Sequence, residues 1–292
     1  MISLDFIVPN WPAPAGVHAL QTKRNGGYSL APFSSLNFGN HVKDNPMHVA
    51  QNRQLLSQFL PSEPVWLNQE HGIAVVDAAN TSCVDINCIP SADASFTTSK
   101  NTVCVTMTAD CLPVLLCDKA GSVVAAVHAG WRGLCDGVLE ASIHKVCRAA
   151  QIKPTDLMAW LGPAIGPNAF EVGAEVRAQF IAKDNNAVSA FKTQGDKFLA
   201  NIYLLATQRL KSLGVTDIYG GGHDEDFCTF SDEERFFSFR RDGDTGRMAT
   251  LIWLAWFSHA WFSSIVYNAH PFSYLAWHDT SRIFYTHLDY TI

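Results

Sequence analysis

Residues 102–133 read TVCVTMTADCLPVLLCDKAGSVVAAVHAGWRG. Three apolar runs lie within this stretch, Thr102–Met107, Pro113–Cys117 and Ser122–His128, joined by short turns. Each has the length of a strand and is apolar at successive positions, the pattern of a strand covered on both faces. Further strand-like runs are Leu157–Leu161, Val215–Tyr219, Phe236–Phe239 and Met248–Trp253. Apolar residues at three- and four-residue spacing predict helices over His48–Leu60, Gly133–Ala150, Glu171–Lys183 and Lys197–Leu213, the last closed by Gly214 as a C-cap. Strands arrive in groups and do not alternate strictly with helices. The expected class is therefore α+β: a single compact domain of mixed β-sheets covered by helices.

Hydrophobic residues make up 48% of the 292 and charged residues 16%, with a net charge of −6. So few charges and so many apolar groups exclude a disordered chain and a coiled coil. The mild acidity, with no basic run, gives no footing for nucleic-acid binding. The eight cysteines include no Cys-x-x-Cys pair, and the N-terminus lacks the basic and apolar regions of a signal peptide. A cytoplasmic protein with reduced cysteines is expected. No Asp, Glu, Lys or Arg occurs from Met248 to His278, but Ser258, His259, Asn268, His270 and Pro271 interrupt that stretch, and a membrane span is not expected. Residues 257–292 carry ten aromatics, four histidines and only Asp279, Arg282 and Asp289 as charges. They read as an atypical aromatic-rich C-terminal extension to a domain over 1–256.

Three segments combine reactive side chains with turn residues: Trp66–Gly72 with His71, Thr108–Pro113 with Asp110 and Cys111, and Ala126–Gly133 with His128 and Arg132. Two imidazoles and a thiolate suit a catalytic zinc with an open fourth position, and copper accepts the same donors. The plainer alternative is a buried thiol beside two hydrogen-bonded histidines. A third reading makes Cys111 a metal-free nucleophile, with His128 or His71 as its base and Asp110 as orienter. Arg132, in a glycine-rich turn before a helix, suits a phosphate or a helix-start salt bridge. Asp93 orients a ligand histidine or simply belongs to a turn. Arg240, Arg241 and Arg247 read as exposed loop charges. Gly162–Pro167 reads as a turn-rich loop.

The segments TKRNGGYSLAPFSSLNFG, PVWLNQEHG, MTADCLPVLL, AAVHAGWRGL, WLGPAIGPNAFEVG and FFSFRRDGDTGRMATLIWL occur in that order over roughly residues 4 to 254. Together they resemble the multicopper polyphenol oxidase, or laccase-domain, family, also described as bacterial purine nucleoside phosphorylases with adenosine deaminase activity. The resemblance implies a single metal held by His71, Cys111 and His128, zinc, with copper under the older name. It implies adenosine, inosine and 5′-methylthioadenosine as substrates, split by phosphate, with adenosine also deaminated to inosine. On that basis Asp110 or Glu70 is expected to shuttle the proton and Arg132 or Arg53 to hold the phosphate. Arg53, Asn37 and Asp93 are the expected substrate contacts. No His-x-His pair occurs among the eleven histidines, which weakens a laccase-like, multi-copper oxidase. The segment Gly221–Thr229 looks a few residues longer than the family pattern, and residues 257–292 have no counterpart in it. The remaining alternatives are a metal-free Cys-His hydrolase and a non-catalytic metal-binding module.

Overall fold

The fold is described from a computed structural model over residues 4–81, 89–221 and 227–256. The expected extension 257–292, Cys83 and Cys88, and most of the lengthened Gly221–Thr229 segment lie outside these residues. In chain order the elements are β1 (Phe6–Ile7), β2 (Val17–Thr22), α1 (Pro46–Ser57), β3 (Val75–Asp77), β4 (Ala94–Thr97), β5 (Val103–Thr108), β6 (Leu112–Asp118) and β7 (Val124–Ala129). Then follow α2 (Trp131–Asp136), α3 (Val138–Ala150), β8 (Leu157–Leu161), β9 (Glu171–Val172), α4 (Ala174–Lys183), β10 (Phe191–Gln194), β11 (Lys197–Ala200), α5 (Ile202–Ser212), β12 (Asp217–Gly220), α6 (Phe239–Asp242) and β13 (Met248–Leu254). The class is α+β, as the sequence predicts.

A mixed six-stranded sheet, order β12-β8-β6-β7-β4-β3, forms the middle layer. The period-two geometry of its central strands explains why they are apolar throughout. Leu115 and Cys117 of β6 and Val124 and Ala126 of β7 pack with Cys104 and Ile252 of a second sheet, order β1-β2-β13-β5. Their neighbours Val114, Leu116, Ala125 and Val127 face the other way, against Leu139, Ile143 and Val146 of α3 and Leu205 of α5. A small sheet, β10-β11-β9, sits beside α4.

Several expected elements differ. Residues 236–239 do not form a strand. Phe236 and Phe237 are fully buried against Ala109 and Met248 in an irregular stretch, and Ser238 caps the short α6. The Arg241 guanidinium donates to the carbonyls of Thr229, Phe230 and Phe236, satisfying backbone groups that a sheet partner would otherwise take. The helix expected over 197–213 is a strand followed by a helix, because the Asn201 side chain accepts from Leu204 N and starts α5 there. Likewise β9 precedes α4, and Gly137, at φ 109°, divides the helix expected over 133–150 into α2 and α3. Gly214 follows α5 at φ 95°, consistent with the expected C-terminal glycine. Among the described residues no helix is long and apolar enough to cross a membrane, and residues 248–254 of the uncharged stretch form β13.

The loop before α1 is fastened by Asn52, which is fully buried. Its Nδ2 donates to Ser29 Oγ, Ser35 O and Asn37 O, and its Oδ1 accepts from Tyr28 N. Replacing it with Leu strands these groups in a dry interior. Asn52→Leu is expected to cost about 3 kcal/mol or more, read as a lower midpoint in urea denaturation with an unchanged slope.

Candidate metal centre and cavity

Strand register assembles the centre. In the antiparallel β6–β7 pair, Leu112 lies opposite Ala129 and Pro113 opposite His128, so Cys111, one residue before β6, meets the end of β7. In the antiparallel β4–β7 pair, Ala94 lies opposite Val127, which brings Asp93 beside His128, whose N–H donates to Asp93 O at 2.7 Å. His71 arrives on a loop pinned three ways. Asn68 bridges to Ser91, and Gln69 exchanges two hydrogen bonds with the Met107 backbone, at 2.7 and 2.8 Å. The Asp93 carboxylate accepts the backbone N–H groups of Glu70, His71 and Gly72 at 3.3, 2.9 and 2.7 Å.

The donor atoms of His71, Cys111 and His128 fall within 4.8 Å of one another. Cys111 Sγ is 3.7 Å from His71 Nε2, and the two imidazole rings meet edge to face at 4.8 Å. Among the described residues this is the one His/Cys/Asp/Glu group that could hold a metal ion. His128 Nδ1 lies 2.8 Å from Asp93 Oδ1, which leaves Nε2 as its donor toward the centre. A β-carbon on Gly130 would come within 2.7 Å of His71 Cδ2 and 3.2 Å of Cys111 Sγ, so the glycine keeps the space against the trio open. Donor chemistry and space both fit a borderline ion with a fourth position free.

The electrostatics agree. Burial alone would push the Cys111 thiol up, but the charge of His128 and hydrogen bonds from both imidazoles outweigh it and bring the thiol pKa down. Burial opposes the charged imidazole of His128, and the Cys111 thiolate and Asp93 reverse that effect. By contrast burial pushes the Cys104 thiol up to about 12. Cys111 is thus set apart from the core thiols as a ready thiolate.

Beside the trio lies a cavity of about 380 Å³. Its apolar wall includes Trp131, Ile165, Phe170, Ile202 and Phe239, and its polar lining includes His41, Thr108, Asp110, Arg132, Arg240 and Arg247. Such a volume, apolar with a few placed polar groups, is that of a small-molecule site.

The expected site residues divide. Asp110 lines the cavity, in a left-handed conformation at φ 91°, but both its oxygens are engaged: Thr229 Oγ1 and the Arg240 N–H each donate to them at 2.6 Å. Arg132 lines it too, exposed, with its guanidinium 4.4 Å from the Trp131 ring centroid. Glu70, Arg53, Asn37 and Asp93 are outside the lining. The Glu70 carboxylate accepts from Asn68 and Ser91 on the surface. Arg53 donates to Phe38 O and lies 4.0 Å over Trp66. Asn37 is fully buried and accepts the N–H groups of Gly39 and Arg247. Asp93 is also buried, behind the histidines. Sequence reasoning passed over His41, a lone histidine in a polar loop, and treated Arg240 and Arg247 as loop charges. The signal for Arg247 was its place just before the apolar run of β13.

A family model described as multi-copper polyphenol oxidoreductase laccase matches residues 18–255. The chain belongs to this family. Among similar proteins, purine nucleoside phosphorylase YfiH of Shigella flexneri is 55% identical over 251 residues, 85% of this chain and 98% of the relative. A purine nucleoside phosphorylase of Haemophilus influenzae is 50% identical over 255 residues, 86% of this chain and 99% of the relative. The crystal structure of Neisseria meningitidis protein NMB0706 superposes with a TM-score of 0.78 at 48% identity, covering 86% of this chain and 99% of that one.

Two variants test the centre. Asp93→Asn is expected to weaken zinc binding about 10- to 100-fold, and Gly130→Ala to weaken it by crowding, each read by competition with a chromophoric chelator. A second check uses thiol alkylation mapped by mass spectrometry. Cys111 should label at neutral pH in chelator and be protected when zinc is added as the probe ion, while Cys104 stays unlabelled in both.

Proposed function

We propose that the chain is a metal-dependent purine nucleoside phosphorylase that also deaminates adenosine. The observation that carries the reading is the His71–Cys111–His128 trio in the lining of a cavity that combines aromatic side chains with Arg132, Arg240 and Arg247, in a chain 55% identical over 251 residues to a phosphorylase by name. Adenosine, inosine and 5′-methylthioadenosine are the substrates, and zinc is the ion, with copper as the alternative. His71, Cys111 and His128 would hold it. Bound zinc lowers the pKa of a coordinated water toward neutrality and polarises an oxygen or nitrogen, the chemistry that deamination needs.

The chain's own residues do the rest. Trp131, Phe170 and Phe239 supply aromatic surface on which a purine can pack. In phosphorolysis a phosphate oxygen bonds to C1′ of the pentose as the bond from C1′ to the purine breaks. The electron pair leaves on the purine, which takes up a proton. The oxocarbenium character of that step calls for an anion held close, and the arginines of the lining supply the means. Asp110 and Glu70 are engaged in hydrogen bonds that brace the loops around the centre. Proton transfer by Asp110 would therefore proceed with those bonds rearranged, and Glu70 is too far out on the surface to be favoured.

Anaerobic incubation of the zinc-loaded protein with adenosine and phosphate tests the reading. Adenine with ribose 1-phosphate, and inosine, are expected by chromatography, and Cys111→Ala should lower turnover at least about 100-fold through loss of the ion. Oxygen uptake with phenols and no purine product would give the site to copper oxidation instead. Full activity in metal-free protein, with a covalent adduct on Cys111, would give it to a thiol hydrolase.

A further inference from the structure

The cavity's cations differ in how they are held. Arg132 and Arg240 are exposed, and Arg240 Nη1 donates to Glu171 O. Arg247 is half-buried and fixed. Its N–H donates to Asn37 Oδ1 at 2.8 Å and its carbonyl accepts from Phe38 N at 3.1 Å. One guanidinium nitrogen, Nη1, donates to Thr245 O and Gly246 O at 2.9 and 3.0 Å. Among the described residues no carboxylate pairs with Arg247, and its Nε and Nη2 groups have no protein acceptor. The nearest acid in the lining, Asp110, has both oxygens engaged elsewhere. Burial holds the Arg247 pKa below its ordinary value, and the charges of Cys111 and Asp110 offset that only in part.

A second, independent feature lies in the same lining. The Thr108 hydroxyl is buried and without a hydrogen-bond partner. An orphaned buried hydroxyl is costly unless something completes it. His41 stands beside Arg247: both approach the same point over Gly39, where a β-carbon would lie 2.8 Å from Arg247 Cγ and 3.3 Å from His41 Cε1. Partial burial and the neighbouring Arg247 and Arg53 hold the His41 pKa down to about 4, so its imidazole is neutral at physiological pH and adds a hydrogen bond without charge.

We propose that Arg247, with the Thr108 hydroxyl and the His41 imidazole, forms the oxoanion subsite of this cavity, which takes inorganic phosphate as co-substrate. The inference rests on the phosphorylase reading above for its role, but the binding site stands apart from it. It transfers the phosphate-holding role from Arg132 and Arg53, expected from sequence, to a cavity-lining residue held by its backbone and by Nη1 and left with donors that no protein group takes. A pre-ordered guanidinium with two free donor groups suits a tetrahedral oxoanion better than a mobile surface arginine.

The test measures inorganic phosphate binding to the zinc-loaded full chain by calorimetry, beside steady-state kinetics. Arg247→Gln is expected to weaken phosphate binding by about 10- to 100-fold, the range for hydrogen bonds to a charged group. It should raise KM for phosphate accordingly while KM for the nucleoside and the zinc content hold. Because Arg247 also braces Thr245 and Gly246, Arg247→Lys and Thr108→Val are tested alongside. Lysine should recover part of the loss, and Thr108→Val should weaken phosphate several-fold without touching that loop. Loss of phosphate binding in Arg132→Gln with binding intact in Arg247→Gln, Arg247→Lys and Thr108→Val overturns the proposal, as does a wild-type chain that binds no phosphate. Phosphate bound through Arg247 without phosphate-dependent cleavage keeps the subsite and discards the phosphorylase reading. Phosphate-dependent cleavage indifferent to Arg247 and Thr108 does the reverse.

Discussion

Much of the candidate centre depends on one buried carboxylate. Asp93 receives the backbone N–H groups of three successive loop residues and the Nδ1 edge of His128. Burial would raise its pKa, but its partners more than offset that and keep it ionised. One charge therefore sets the path of the loop that carries His71, in its left-handed conformation at φ 60°, and the tilt of the imidazole opposite. Buried charges survive only when they are fully hydrogen-bonded, and here satisfying the charge and aligning the two histidines are the same act.

The layered body explains what was legible in the sequence. Runs such as Pro113–Cys117 announce strands because both faces are dry, one against the second sheet and one against helices. Patterns fail where hydrogen bonding overrides them. Phe236 and Phe237 look like strand residues because they are core residues, yet the Phe236 carbonyl is taken by the Arg241 guanidinium. β2 carries polar Gln21 and Thr22 at buried positions, so its sequence lacks the apolar signature, and only the pairing with β13 reveals it.

The site was legible to a similar depth. His71, Cys111 and His128 stand out by residue type beside turns, and the structure brings them together. Asp93 was weighed as a turn residue or a histidine orienter, and register across β4 and β7 puts it beside His128. Arg53 and Asn37 sit in a segment rich in polar residues but serve the loop's own backbone. Arg247 reads as an exposed loop charge because charge in a stretch such as SFRRDGDTGR normally means solvent. Its half-burial follows from the long-range bond to Asn37, 210 positions away in sequence, which no local pattern encodes.

The antiparallel register of β4, β6 and β7 has a thermodynamic side. Shifting β7 by one residue would turn His128 from the inter-sheet face to the helix face and withdraw it from Cys111 and Asp93. Donors that come together only when three strands pair correctly exist as a set only in the native state. An ion captured by them therefore favours that state over every mispaired one. At a hundredfold excess over its dissociation constant, the ion adds about 2.7 kcal/mol to folding. For a chain built this way, metal supply would shift the balance between native and mispaired forms.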